Sequence, residues 1–162
     1  MGLFKKNKKS EHVSDYFSQD DLRAIRKEIH NIEDYTSAEV RVAIQMHCDK
    51  DLGGNIHKQA ERKFYEAHME NTHNHTGVLI LVVLGERKIA IYGDKAIHGK
   101  VPQTFWRYHV WLLASHFRQG RYTEGVCEII QKVGTTLREH FPHNAGDTNQ
   151  LSDEVIVKEG GR

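Results

Sequence analysis

The sequence holds only two cysteines in 162 residues, Cys48 and Cys127, far apart and without C-x-x-C spacing. That usage fits a reducing, cytosolic home and leaves a disulfide between the two open. Charge of one sign is equally scarce. Lys and Arg number 23 against 22 Asp and Glu, a formal net charge of +1, so whole-protein attraction to nucleic acid or anionic membrane is not indicated. No apolar run approaches the roughly 20 residues needed to span a bilayer, and the start lacks the apolar core of a signal peptide. A cytoplasmic location is the expectation. There is no internal repeat, no low-complexity block, no glycine-rich phosphate loop, no dinucleotide fingerprint and no Gly-x-Ser-x-Gly elbow. The chemistries that those motifs carry are thereby set aside.

What the chain does have is one clean apolar run, Val78 to Leu84, opened by Gly77. A continuous rather than alternating run is typical of a strand buried on both faces. Gly85-Glu86-Arg87-Lys88 closes it, and Ile89 to Tyr92 follow too soon for a crossover, so the connection reads as a hairpin. Upstream, Val40, Val42, Ile44 and Met46 alternate with Arg41, Ala43, Gln45 and His47, the period of a strand buried mainly on one face. Between them, Asp49 to Asn71 passes a turn at Gly53 and Gly54 and continues as a helix with Ile56, Ala60, Phe64 and Ala67 inward. The unit is strand, helix, parallel strand.

Helical spacing recurs three more times. Leu22, Ile25, Ile29 and Ile32 share a face after the acidic start Asp20-Asp21. Phe105, Trp106, His109, Leu112, Leu113, His116 and Phe117 follow Pro102 and stop at Gly120. Val126, Ile130, Val133 and Leu137 lie on a last helix that Pro142 ends. The expected architecture is α/β, a Rossmann-like three-layer α/β/α sandwich with a small mixed sheet of strands near 39–47, 77–84 and 88–93, flanked by about four helices. Residues 1–18, with Lys5, Lys6, Lys8 and Lys9, read as a basic flexible tail whose contact with a membrane surface would be weak at most. Residues 19–144 form the domain, and 145–162 a polar, partly ordered tail.

Tyr35-Thr36-Ser37-Ala38-Glu39-Val40-Arg41-Val42, His75-Thr76-Gly77-Val78-Leu79-Ile80, Arg87 to Ile97, Val101-Pro102, Phe105-Trp106 and Phe117 to Tyr122 occur in an order that resembles the TPM domain. That family is named for a thylakoid lumen protein, a photosystem II repair protein and a receptor-modulating worm protein. The chain looks like a soluble bacterial member, and the ending Asn149 to Glu154 is similar too. The resemblance implies the sandwich fold and, for some members, weak phosphatase activity with divalent-metal, especially calcium, binding. Against the family pattern, His75-Thr76-Gly77 stands for Arg-Asn-Gly and Ala38 for Gly, while His98, Lys100 and Arg107 replace frequent Asp or Asn. Acid is expected to be depleted around the site.

Topology locates that site. If the first two strands are parallel and the third reverses, Glu39, Thr76 and Asp94 meet at one end of the sheet. Two carboxylates and a neutral oxygen are the hard-oxygen donors that calcium or magnesium takes, and the nearby Lys95, His98 and Lys100 would make binding weak. A rival set is Asp49 and Asp51, in a loop with a glycine at the sixth place like an EF-hand, yet Ala60 stands where the bidentate Glu belongs. The 12 histidines complete no standard zinc spacing. Two functions compete: a binding or regulatory module presenting Phe105, Trp106, Tyr108 and Trp111 to a protein partner, and a divalent-metal-assisted phosphatase acting on phosphomonoesters.

Overall fold

The computed structural model of the protein describes residues 2–4, 11–144 and 151–159. Lys5, Lys6, Lys8, Lys9, Asn149 and Gln150 lie outside the described residues. Helix α1 (Gln19–Ile32) is capped reciprocally: the Asp21 amide donates to the Ser18 hydroxyl oxygen, and the Ser18 amide to the Asp21 carboxylate. It leads into β1 (Glu39–Gln45), which pairs in parallel with β2 (Gly77–Val83), Glu39 opposite Gly77 and Gln45 opposite Val83. Helix α2 (Ile56–Glu66) makes the crossover, with the Asn55 side chain capping the amides of His57 and Lys58. Strand β3 (Lys88–Gly93) returns antiparallel to β2, as the hairpin reading requires.

Three helices follow: α3 (Lys95–Lys100), α4 (Gln103–Arg118) and α5 (Tyr122–His140). The six-residue α3 was not expected; the Asp94 carboxylate caps it by accepting from the Lys95 amide at 2.8 Å. The sheet order is β3-β2-β1-β4, where β4 (Ile156–Lys158) lies parallel to β1. This outer strand corrects the three-strand expectation. Val155, Ile156 and Val157 are too few to show a period, and their pairing depends on the open edge that β1 offers.

Side chains alternate across the sheet and divide the core in two. Val40, Val42, Ile44, Val78, Ile80 and Val82 face α1, α4 and α5, while Ala43, Leu79, Leu81, Val83 and Ala90 pack with Ala60 and Phe64 of α2. Every residue of β2 is buried, which the continuous apolar run anticipates. Gly134 lets α5 approach α1 closely, since a Cβ there would lie 2.7 Å from Ile32 Cγ2.

The reading of residues 1–18 as a tail outside the domain does not hold where the chain is described. Phe4, Val13, Tyr16 and Phe17 are buried, and Phe4 sits edge-on to Phe117 with centroids 5.0 Å apart. Tyr16 meets Tyr122 in the same way at 4.9 Å. Each aromatic ring brings a large apolar area on its own, so burial needs no sequence period. Among the described residues no helix is long and apolar enough to cross a membrane.

Candidate functional site

At the end of the sheet where β1 and β2 begin, Glu39 and Asp94 flank Gly77. The Glu39 amide donates to the Thr76 carbonyl at 3.1 Å and the Asp94 amide to the Gly77 carbonyl at 2.9 Å. All three residues predicted from sequence, Glu39, Thr76 and Asp94, therefore come to one end, and all are buried. Strand alternation puts Glu39 and Asp94 in one row on the α2 face and Thr76 on the other face. Two strand spacings separate the acids, roughly 10 Å between backbones. Above Gly77, between them, stand the Met69 carbonyl oxygen and the Phe64 ring, which a Cβ on Gly77 would meet at 3.0 and 3.2 Å.

The Asp94 carboxylate has two unequal oxygens. Oδ1 caps α3, whereas Oδ2 is enclosed without a hydrogen-bond partner and faces His75 Nδ1 at 3.6 Å. His75 adopts a left-handed φ of 55° and accepts the Ala96 amide on its carbonyl at 3.1 Å, which ties the loop before β2 to α3. The Thr76 amide donates to Thr72 Oγ1 at 3.0 Å.

The structure adds acids here that sequence reasoning missed. Glu33, just past the last turn of α1, and Asp153, just before β4, come together beside β1. Burial first, then the Asp153 carboxyl bonded to it, and then the charges of Asp153, Glu39 and Asp34 push the Glu33 carboxyl up to about 9. His30 Nδ1 lies 3.2 Å from Asp153 Oδ2 and 3.5 Å from Glu33 Oε2. Burial also lowers the Arg41 guanidinium, one nitrogen of which donates to the Glu154 carbonyl at 3.1 Å. The expected depletion of acid is thus offset by residues from outside the motifs. The spacing of His30 and Glu33, one helical turn apart, was the available signal; Asp153 lies 123 residues from His30 and gave none.

Asp49 and Asp51 occupy the opposite end and are already paired. Arg62 donates to both Asp51 oxygens at 2.8 and 2.7 Å and to Asp49 Oδ2 at 3.0 Å, and Lys158 reaches Asp49 Oδ1 at 3.3 Å. Burial works to raise the Asp49 carboxyl, but the hydrogen bonds from Arg62, Lys158 and Gln59 hold it below its ordinary value. Two cations occupy the directions from which an ion would be held.

The third helix of the sequence reading is α4, and it divides its aromatics. Trp106 is buried and Phe105 half-buried, while Tyr108 is 53% exposed and Trp111 57%, their rings 6.1 Å apart. A cavity of about 340 Å³ runs along residues 88–91 of β3, walled by Leu3, by Ile56 of α2 and by Trp106, Arg107 and Val110 of α4.

The sequence profile of the TPM domain matches residues 12–136. The chain belongs to the TPM domain family. Its structure is similar to the NMR structure of the BA42 protein from the psychrophilic bacterium Bizionia argentinensis, with a TM-score of 0.81 and 27% identity over 90% of this chain and 98% of that one. The N-terminal domain of a protein from P. gingivalis shares the fold at a TM-score of 0.59 and 21% identity, over 82% of this chain and 85% of that one. Among curated proteins none matches this TPM domain chain.

Proposed function

We propose that this TPM domain is a binding module that takes an extended segment of a partner protein along the edge of β3. The observation that carries the reading is the cavity over residues 88–91, placed where β3 is paired on one side only among the described residues. An edge strand offers backbone donors and acceptors to an incoming strand, and the flanking pockets select its side chains. Ile56, Trp106 and Val110 would receive apolar residues, and the exposed Arg107 and His57 favour acid at the segment's ends. Trp111, one turn along α4 from Arg107, adds a rigid aromatic anchor of the kind that dominates interfaces. Both cysteines are free, Cys48 buried and Cys127 half-buried, which fits the reducing, cytosolic setting inferred from sequence.

Selection from a random peptide library, followed by NMR titration, tests this. Selected peptides should shift the amides of residues 88–91, and Trp111→Ala should cost on the order of 2 kcal/mol of binding. Peptides that shift only residues elsewhere, or a library that yields none, would remove the reading.

A second reading, a divalent-metal-assisted phosphatase with calcium or magnesium at the end of the sheet bearing Asp94, is favoured by one observation, the enclosed Asp94 Oδ2 that lacks a hydrogen-bond partner. Such an ion would polarise a phosphomonoester and lower the pKa of its bound water. Calcium titration of Asp94→Asn, argued below, decides it.

A further inference from the structure

Among the described residues, one group of His, Cys, Asp or Glu side chains brings ligand atoms within 4.8 Å of one another: His30, Glu33 and Asp153. We propose that this group is a binding site for a divalent transition ion of the zinc class, held by one imidazole nitrogen and two carboxylates. The site shares no residue with the Glu39, Thr76 and Asp94 set and does not depend on the β3 groove.

The spacing suits such an ion. His30 Nδ1 lies 3.2 Å from Asp153 Oδ2 and 3.5 Å from Glu33 Oε2. Ligands held at about 2.0–2.2 Å around a tetrahedral zinc are themselves roughly 3.4 Å apart. The donor chemistry points the same way, because an imidazole nitrogen is a poor ligand for calcium or magnesium and a good one for zinc and its neighbours. The carboxylates are also largely removed from water, with side chains 18% exposed for Glu33 and 12% for Asp153. Glu33 Oε1 is fully enclosed without a hydrogen-bond partner. Three protein ligands leave a coordination position open, as at catalytic rather than structural zinc. His30 and Asp153 also line a cleft of about 330 Å³ with Lys27 and with Arg23 and Arg26, which are paired to Asp20 and Glu154.

The ligands come from separate elements. His30 lies in the last turn of α1 and Glu33 at its C-cap, while Asp153 arrives on the segment that leads into β4. An ion would therefore fasten that segment to α1, and zinc should slow hydrogen exchange at the β4 amides of Ile156, Val157 and Lys158.

Calorimetric titration of the full chain with zinc chloride, after chelator treatment, tests the proposal. We expect one ion per chain at micromolar affinity or tighter, weakened at least about tenfold in His30→Ala and in Asp153→Asn. His73→Ala combined with His75→Ala, and separately Asp94→Asn, should leave the affinity within about twofold. Equal binding by His30→Ala and the wild type would mean that zinc sits on other histidines and overturns the proposal. Absence of binding at a tenfold excess of zinc does the same and leaves the contacts of His30 with Glu33 and Asp153 as the account of the cluster. If a variant fails to fold, the wild-type protein still decides the matter, because zinc must shift the His30 ring resonances and protect the β4 amides. A shift confined to the loop at His73 and His75 would count against the site.

Discussion

The two ends of the sheet carry carboxylates in opposite states. Where β1 ends, Asp49 and Asp51 are met by Arg62 and Lys158, and their carboxyls are held below the ordinary range. Where β1 begins, Glu33 stands among Asp153, Glu39 and Asp34, and burial together with those acids pushes its carboxyl up. The lesson is that counting acids in sequence does not locate a site. At one end the chain's own cations hold the carboxylates in their charged form, and at the other burial and neighbouring acids push Glu33 towards its neutral form.

The largest expected effect lies between the ends and should alter neither. Ile80 is midway along β2 and fully buried, so Ile80→Ala should destabilise by roughly 2–5 kcal/mol in urea unfolding. Titration of the carboxylates at both ends should be unchanged. A loss under about 1 kcal/mol would mean that β2 does not tie the two ends together.

A smaller effect separates the ends by pH. Glu33 in the fold holds its proton to about 9, against an ordinary value of 4.5, so its contribution to stability is full below 4.5 and is lost as pH climbs towards 9. Asp49 behaves in the opposite sense. Its folded value lies below 3.8, so its contribution is present above 3.8 and is lost as pH falls through the folded value. In chelator-treated protein, Glu33→Gln should flatten the alkaline limb of the stability profile, and Asp49→Asn the acid limb. Denaturant unfolding across pH reads both. If either variant flattens the other limb, the assignment of the two ends is reversed.

Much of this was legible before the structure. The run Val78 to Leu84 announced a strand covered on both faces, and the four-residue gap before Ile89 announced the hairpin. Parallel pairing then followed, and with it the placement of Glu39 and Asp94 at one end of the sheet, on either side of Gly77. What was not legible depends on partners distant in the chain. Phe4 and Phe17 are isolated in a polar context and find Phe117 only in the fold. Strand β4 is three residues that pair only because β1 has a free edge, and Asp153 reaches Glu33 only because β4 brings it there. Arg62 disarmed Asp49 and Asp51 from a helix face that periodicity identifies merely as outward.

The smallest expected effect tests whether the end bearing Asp94 answers to a hard cation at all. Its Oδ2 is enclosed and unpartnered, yet Lys95 follows directly and His75 faces it at 3.6 Å, so any calcium affinity should be millimolar rather than micromolar. Phe64 over Gly77 further keeps Glu39 and Asp94 from closing on one ion. Calcium at about 10 mM, a hard-cation level at which weak extracellular-type sites fill, should shift the amides of Gly77 and Gly93. Asp94→Asn should abolish that shift, and Asp51→Asn should preserve it, because Asp51 is engaged by Arg62. No shift in the wild type would end the metal-phosphatase reading for this protein and leave the binding module proposed at β3 as the reading to test. Loss of the shift in Asp51→Asn instead would place the ion where β1 ends, and would mean that Arg62 yields its carboxylates to a divalent cation.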